Sequence, residues 1–137
     1  MTKEPQKVIG AFEKASFPEF GINKVVAKID TGAYTGALHA TNIRKEVVDG
    51  VKTLYFSPFD HPEKVISVQD YRIKRVTSSN GHEERRYAID TKIILDGNEY
   101  DILLTLADRS EMKWPVLIGR RFIRKNNLLV DVNRINK

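Results

Sequence analysis

The spacing of turn residues constrains the fold more than any other feature of this 137-residue sequence. Short segments rich in β-branched and aromatic residues alternate with turn formers, a pattern typical of an all-β sandwich or barrel. Asn80-Gly81 and Asp96-Gly97 each separate two such segments, and each predicts a hairpin because these residues tolerate positive φ. The predicted strands are 24–29, 37–43, 51–56, 71–77, 85–94, 99–106, 116–118 and 128–132, and one short helix is predicted over 120–126.

Composition limits the classes of protein that this chain can belong to. A length of 137 residues, 41% hydrophobic and 30% charged, suits one domain over 1–137 with a modest core. The absence of cysteine excludes disulfides, thiolate zinc sites and cysteine nucleophiles. No segment resembles a signal peptide or approaches the roughly 18 apolar residues of a membrane span, so we expect a soluble, cytoplasmic protein with no membrane partner.

An acidic turn follows directly on the apolar strand 24–29. The segment Ile29-Asp30-Thr31-Gly32-Ala33 places a carboxylate on a tight bend. Gly32 allows close approach of a substrate, and Thr31 can hydrogen-bond neighbouring backbone. Such Asx turns also occur without catalytic function. The turn therefore makes Asp30 a candidate catalytic residue, with ordinary turn formation as the alternative.

A second segment, 116–120, is an apolar strand that ends at Gly119 and begins the predicted helix at Arg120. Alone it is consistent with a plain core strand followed by a helix. The order of the two segments, with the Asn80-Gly81 hairpin between them, resembles the retropepsin family of aspartic proteases. The resemblance extends to a bacterial family labelled "ATP-dependent zinc protease", which is linked to the ATP-grasp ligase that adds glutamates to a small-subunit ribosomal protein. It is carried by 28–33, 37–40, Arg86-Tyr87, Arg109, Met112, 115–122 and 129–132, and covers roughly residues 8 to 133.

This resemblance implies a retropepsin-like closed barrel with one short C-terminal helix. It implies Asp30, Thr31 and Gly32 as catalytic residues. The substrate-binding residues would be Ala33, Asn80, Gly81, Arg85 and Arg86, with Asn80 and Gly81 in a flap over the bound peptide. Structural support would come from Leu117, Ile118, Gly119 and Arg120. In viral retropepsins an acidic residue after the Asp turn pairs with the arginine, but here Tyr34 occupies that position.

The family label implies zinc and ATP, but the sequence supports neither. There is no phosphate-binding glycine motif and no H-E-x-x-H motif. A zinc site would have to combine His39, His61 and His82 from three distant segments. His39 lies on a strand just after the Asp turn and could contact the active site, but a packing role is the simpler interpretation. We therefore predict no metal site and no cofactor.

Aspartic proteolysis needs two carboxylates, one acting as base toward water and one as acid toward the substrate carbonyl. The chain has one Asp-Thr-Gly turn, so a twofold homodimer would have to pair Asp30 with its copy. The alternative partners within the chain are Asp90, Asp101, Asp108 and Asp131. The predicted function is thus a peptidase acting through a homodimeric Asp dyad.

Positive charge suggests the substrate class. The formal net charge is +5, and basic residues flank the predicted flap turn and cover the predicted helix: Lys74, Arg75, Arg85, Arg86, Arg120, Arg121, Arg124 and Lys125. Guanidinium groups bind carboxylates bidentately, so acidic or glutamylated peptides are expected to bind. Surface solvation explains the same charges without any ligand.

Two other functions fit parts of the sequence. A non-catalytic module could keep the fold and bind peptides or a partner protein, and a buried, singly hydrogen-bonded Asp30 would favour it. An RNA-binding barrel would need several aromatic stacking positions on one sheet face. Aromatic residues make up only 9% of this sequence, and Tyr55, Phe56 and Phe59 are their sole cluster. We therefore expect no nucleic-acid partner.

Overall fold

The structure is a computed structural model that describes residues 6–77, 81–108 and 113–137. Strands dominate the described residues, with one short α-helix and a 3₁₀ turn at Pro18–Phe20. The elements are β1 (Val8–Phe17), β2 (Ile22–Ile29), β3 (Gly36–Val48), β4 (Val51–Pro58), β5 (Ile66–Val68), β6 (Tyr71–Thr77), β7 (Glu83–Leu95), β8 (Asn98–Ala107), β9 (Val116–Ile118), α1 (Arg120–Lys125) and β10 (Leu129–Ile135).

Six of these strands form a closed barrel. The pairings run from β1 to β2, β9, β3, β8 and β7, and β7 returns to β1 where Ala15 lies opposite Leu95. Closure removes the free strand edges that an open sheet would expose. The predicted all-β closed barrel with one short helix is therefore confirmed.

The barrel interior is filled by alternate side chains of its strands, as the period of two requires. On β7, for example, Thr91, Ile93 and Leu95 are buried while Asp90 is exposed. A second group of apolar side chains lies where the β3–β4–β5 sheet meets β1. There the ring of Phe17 lies 5.5 Å from that of Phe20 and 5.9 Å from that of Phe59, between ring centroids. These contacts join the smaller sheet to the barrel.

The largest differences between the observed and the predicted strands are one long extension and two additional strands. The third strand, β3, continues to Val48 rather than ending at 43, and it pairs with β4 around the Asp49-Gly50 turn. Two further strands, β1 and β5, were not predicted. The β6–β7 hairpin is present, with Thr77 opposite Glu83, but Asn80 of its predicted turn lies outside the described residues. No helix among the described residues is long and apolar enough to span a membrane.

Candidate active site

The Asp30 turn begins where β2 ends against the short strand β9. Ile29 lies opposite Ile118 in a parallel pair, and the Asp30 N–H donates to the Ile118 carbonyl at 2.8 Å. On its other side β9 pairs with β3 through Leu117 and Ala37. The apolar run 116–118 is therefore a central strand beneath the turn.

Backbone hydrogen bonds within the turn fix the position of the carboxylate. The Gly32 N–H donates to Asp30 Oδ1 at 3.1 Å, and the Ala33 N–H donates to the Asp30 carbonyl at 3.2 Å. Asp30 is half-buried, while Thr31 and Gly32 are exposed. No described residue donates a hydrogen bond to Asp30 Oδ2. One carboxylate oxygen is thus held by its own turn and the other is left available.

The start of α1 closes the turn from the opposite side. The Arg120 N–H donates to the Ala33 carbonyl at 2.8 Å, and the Arg121 N–H donates to the Tyr34 carbonyl at 3.1 Å. The Arg120 side chain also donates, through Nη1, to the Gly32 carbonyl at 3.1 Å. The first N–H groups of a helix have no partner within the helix, so the turn both satisfies them and is held by them.

Tyr34 gives Arg120 a different partner from the acidic residue of viral retropepsins. The Arg120 guanidinium lies over the Tyr34 ring, 5.4 Å from its centroid. A guanidinium over an aromatic face is attracted by the ring quadrupole. The arginine is therefore positioned by the Tyr34 ring and the Gly32 carbonyl instead of by an ion pair.

Two glycines allow the backbones around the turn to approach closely. A Cβ on Gly119 would lie 2.5 Å from the Tyr34 carbonyl oxygen, and a Cβ on Gly36 would lie 2.2 Å from the Leu117 carbonyl oxygen. Both distances are too short for any side chain. Gly119 was predicted to support the site. Gly36 was missed, although its position at the start of a strand is the signal that could have identified it.

The other predicted substrate-binding residues lie on the β6–β7 hairpin. Gly81 has φ +84°, as the turn prediction requires. Arg85 is exposed and lies opposite Arg75. Arg86 is buried, and its Nε donates to Glu84. No described hydrogen bond joins these residues to the Asp30 turn, so their substrate-binding role stays a prediction.

His39 and His61 contact two different carboxylates. His39 is buried and its Nε2 lies 3.1 Å from Asp60 Oδ1, while His61 Nδ1 lies 3.0 Å from Glu63 Oε1. The Glu63 pKa is lowered by a backbone hydrogen bond and then by His61. Within residues 6–77, 81–108 and 113–137, no group of three His, Cys, Asp or Glu side chains is arranged to hold a metal ion. The described residues thus supply no ligand set that fits zinc.

Three of the four alternative aspartates within the chain are paired with other residues. Asp90 pairs with Arg72 at 2.6 Å, Asp101 accepts a hydrogen bond from Lys92, and Asp131 lies 3.5 Å from Arg134. No described contact links these residues or Asp108 to Asp30. Within one chain, the described residues therefore give Asp30 no carboxylate partner.

Known proteins resemble this chain in both sequence and fold. The sequence model of the RimB-like family, described as retropepsin-like aspartic endopeptidase RimB, matches residues 8–136. The chain belongs to the RimB-like family. This RimB-like chain is similar to the crystal structure of a protein of unknown function from Legionella pneumophila, with a TM-score of 0.76 and 27% sequence identity. The match covers 97% of this chain and 98% of the Legionella protein.

Curated relatives of this RimB-like chain are longer proteins. A probable alpha-L-glutamate ligase of Shewanella pealeana is 35% identical over 129 residues, which make up 90% of this chain and 28% of the ligase. One from Desulfotalea psychrophila is 34% identical over 133 residues, 92% of this chain and 28% of the ligase. The chain thus spans little more than a quarter of the length of these relatives.

Proposed function

We propose that this RimB-like chain is an aspartic-type peptidase in which Asp30 is the catalytic carboxylate. The observation that carries the proposal is the state of Asp30: half-buried, fixed through Oδ1, and unengaged at Oδ2 among the described residues. Membership of a family described as retropepsin-like endopeptidases supports the same assignment.

In this mechanism one carboxylate takes a proton from water while the water oxygen bonds to the scissile carbonyl carbon. A second carboxylic acid gives its proton to the carbonyl oxygen, and the amide nitrogen is then protonated as the C–N bond breaks. Two carboxylates a few ångström apart resist double ionisation, so such a pair can share one proton between its base and its acid. Because one chain offers a single such turn, the proposal includes a homodimer that pairs Asp30 with its copy.

Acidic peptides are the proposed substrate. Arg75 and Arg85 lie directly opposite each other on the β6–β7 hairpin, and like charges at that position destabilise a strand pair. A substrate carboxylate between them would relieve the repulsion. The names of the longer relatives, probable alpha-L-glutamate ligases, support glutamate-containing peptides in particular. The proposal also places the protein in the cytoplasm.

The test compares Asp30→Asn with the unmodified protein on glutamate-tailed peptides between pH 4 and pH 8. The substitution keeps the shape of the turn but removes the titrating group, so we expect cleavage to fall by at least about 100-fold. Asp49→Asn, in the exposed β3–β4 turn, is the matched control and should keep full activity. Thermal unfolding of each variant checks that the fold survives.

Two results would contradict the proposal. If chelators abolish cleavage while Asp30→Asn remains active, a metal performs the reaction. If no protein cleaves any acidic peptide but the unmodified chain binds it, the chain is a peptide-binding module. The absence of a described carboxylate partner for Asp30 within one chain is the observation that favours this second candidate.

A further inference from the structure

A cavity of about 150 Å³ lies beside the residues that follow the Asp30 turn. It opens between this segment, the outer face of β7 and β8, and the helix α1. We call it the outer pocket, and its principal lining residues are Tyr34, Thr35, Ile102, Arg121, Phe122 and Lys125. Neither the peptidase mechanism nor the family resemblance assigns it a role.

Two cations of α1 project into the outer pocket. Arg121 and Lys125 are four residues apart and therefore share one face of the helix. Like charges at this spacing destabilise a helix. Arg121 is half-buried, and its guanidinium has no hydrogen-bonding or ionic partner among the described residues. The sequence thus places a repulsive pair at a half-enclosed site where an anion would relieve it.

The two carboxylates that line the pocket do not neutralise these cations. Asp90 is bonded to Arg72 at 2.6 Å, and Asp101 accepts a hydrogen bond from Lys92. Lys125 influences Asp101 only through its charge and makes no hydrogen bond to it. Three cationic groups, Arg72, Arg121 and Lys125, therefore line the pocket together with two carboxylates, each of which is already paired. The pocket retains a positive excess.

Part of the pocket lining is apolar. Phe122, which is buried, and Leu103, which is half-buried, both contribute to it. The volume corresponds to about five water molecules at roughly 30 Å³ each. A ligand of this size could place an apolar stem against the apolar lining and a negatively charged end against the cations. Guanidinium groups favour the planar, bidentate geometry of a carboxylate.

We propose that the outer pocket binds a carboxylate carried on a short apolar stem, with Arg121 and Lys125 as its ligands. Two sources share this chemistry: an acidic side chain of a bound peptide and a small free dicarboxylic acid. The Arg121 N–H also holds the Tyr34 carbonyl, so a carboxylate at Arg121 sits directly behind the active-site turn. The inference does not depend on peptidase activity, because it concerns binding alone.

The experiment uses calorimetry on the Asp30→Asn protein, which removes the proposed catalytic group during titration. The probes are glutarate, inorganic phosphate, and a tri-glutamate peptide with both ends capped. The double variant Arg121→Gln with Lys125→Gln should weaken carboxylate binding at least about tenfold, since each charge-assisted hydrogen bond contributes on that order. Lys52→Gln is the matched control, because Lys52 is an exposed cation on β4 that does not line the pocket.

The outcomes separate the sources and can overturn the inference. Binding of the capped peptide, lost in the double variant and kept in Lys52→Gln, supports a side-chain carboxylate. The same result with glutarate alone supports a free acid. Equal affinity for phosphate and glutarate, an equal loss in Lys52→Gln, or no binding of either carboxylate overturns the inference. Amide shifts of Tyr34 and Arg121 in NMR spectra locate the bound probe.

Discussion

At the scale of single residues, Gly119 fixes the distance between β9 and the Asp30 turn. Its backbone has φ −86° and ψ 171°, a conformation open to any residue, so conformational freedom is not the reason for glycine. The reason is space, because a Cβ would lie 2.5 Å from the Tyr34 oxygen and 2.9 Å from the Ala33 oxygen. Both are backbone atoms of the turn that carries Asp30. A methyl group here must therefore move the turn.

We expect Gly119→Ala to lower the free energy of unfolding by about 1–3 kcal/mol, the usual cost of inserting atoms into a packed region. Because the displaced atoms belong to the turn that carries the proposed catalytic Asp30, cleavage should fall by more than the loss of folded protein explains. Chemical denaturation and peptide cleavage at a temperature where the variant is fully folded measure the two effects separately.

Gly50→Ala provides the control for this prediction. Gly50 has φ +79° and open space around its Cβ position, so alanine there costs about 1 kcal/mol through backbone strain without touching the site. Its activity per folded molecule should be unchanged. Unaltered cleavage in Gly119→Ala, or equal losses in both variants, would contradict the role given to Gly119.

At the scale of elements, local sequence patterns predicted the strands whose bounds are set by neighbouring residues. The strand 71–77 and the strand 116–118 have the predicted bounds, because apolar alternation and turn residues specify them directly. The strand β1 was missed because its burial departs from alternation. Gly10 and Phe12 flank a register shift, and the charged Glu13 is buried, accepting hydrogen bonds from the Gly10 N–H at 2.6 Å and from Asn136 at 2.7 Å.

The candidate site shows the same limit. Asp30, its turn and the helix start at Arg120 were predictable from the motif, but the partners of Arg120 were not. The Gly32 carbonyl and the Tyr34 ring are 88 and 86 positions away in sequence, and only the insertion of β9 between β2 and β3 brings them to the arginine. Such pairing depends on tertiary packing, which single-sequence patterns do not specify.

The β7–β8 pair carries a pH-dependent contact on its outer face. Lys92 lies opposite Asp101 and donates a hydrogen bond to it, and that bond is the main cause of the lowered pKa of Asp101 and of the raised pKa of Lys92. A carboxyl group whose pKa is lower in the folded state stabilises the fold above its unfolded pKa, about 3.9, and loses this effect as the pH falls through the folded value.

Lys92→Gln should therefore raise the pKa of Asp101 toward its ordinary value. Below about pH 4, the protonation of Asp101 should then contribute less to the loss of folding stability in acid. Carboxyl carbon shifts in an NMR titration measure the pKa, and Lys45→Gln, on β3, is the control that should leave it unchanged. An unshifted Asp101 in Lys92→Gln would refute the assigned cause.

At the scale of the whole molecule, the barrel is closed by pairing between strands of the same chain, and each chain supplies one Asp30 turn. Thr31 and Gly32 are exposed at that turn, and the side chain of Tyr34 is more than half exposed beside them. A second copy related by a twofold axis could therefore approach the turn without unfolding any element. The proposed dyad makes activity a property of the pair rather than of the chain.

Mixing the unmodified protein with Asp30→Asn tests this directly. In an equal mixture of freely exchanging subunits, about a quarter of the dimers carry two intact Asp30 residues, so activity per unmodified chain should fall to about half. An independent monomer would keep the full activity of each unmodified chain, because the variant then has no means of affecting it. Sedimentation velocity over a concentration series must show dimers where cleavage occurs. Cleavage proportional to the unmodified chain alone, by a species that sediments as a monomer, would place the second catalytic group within the same chain.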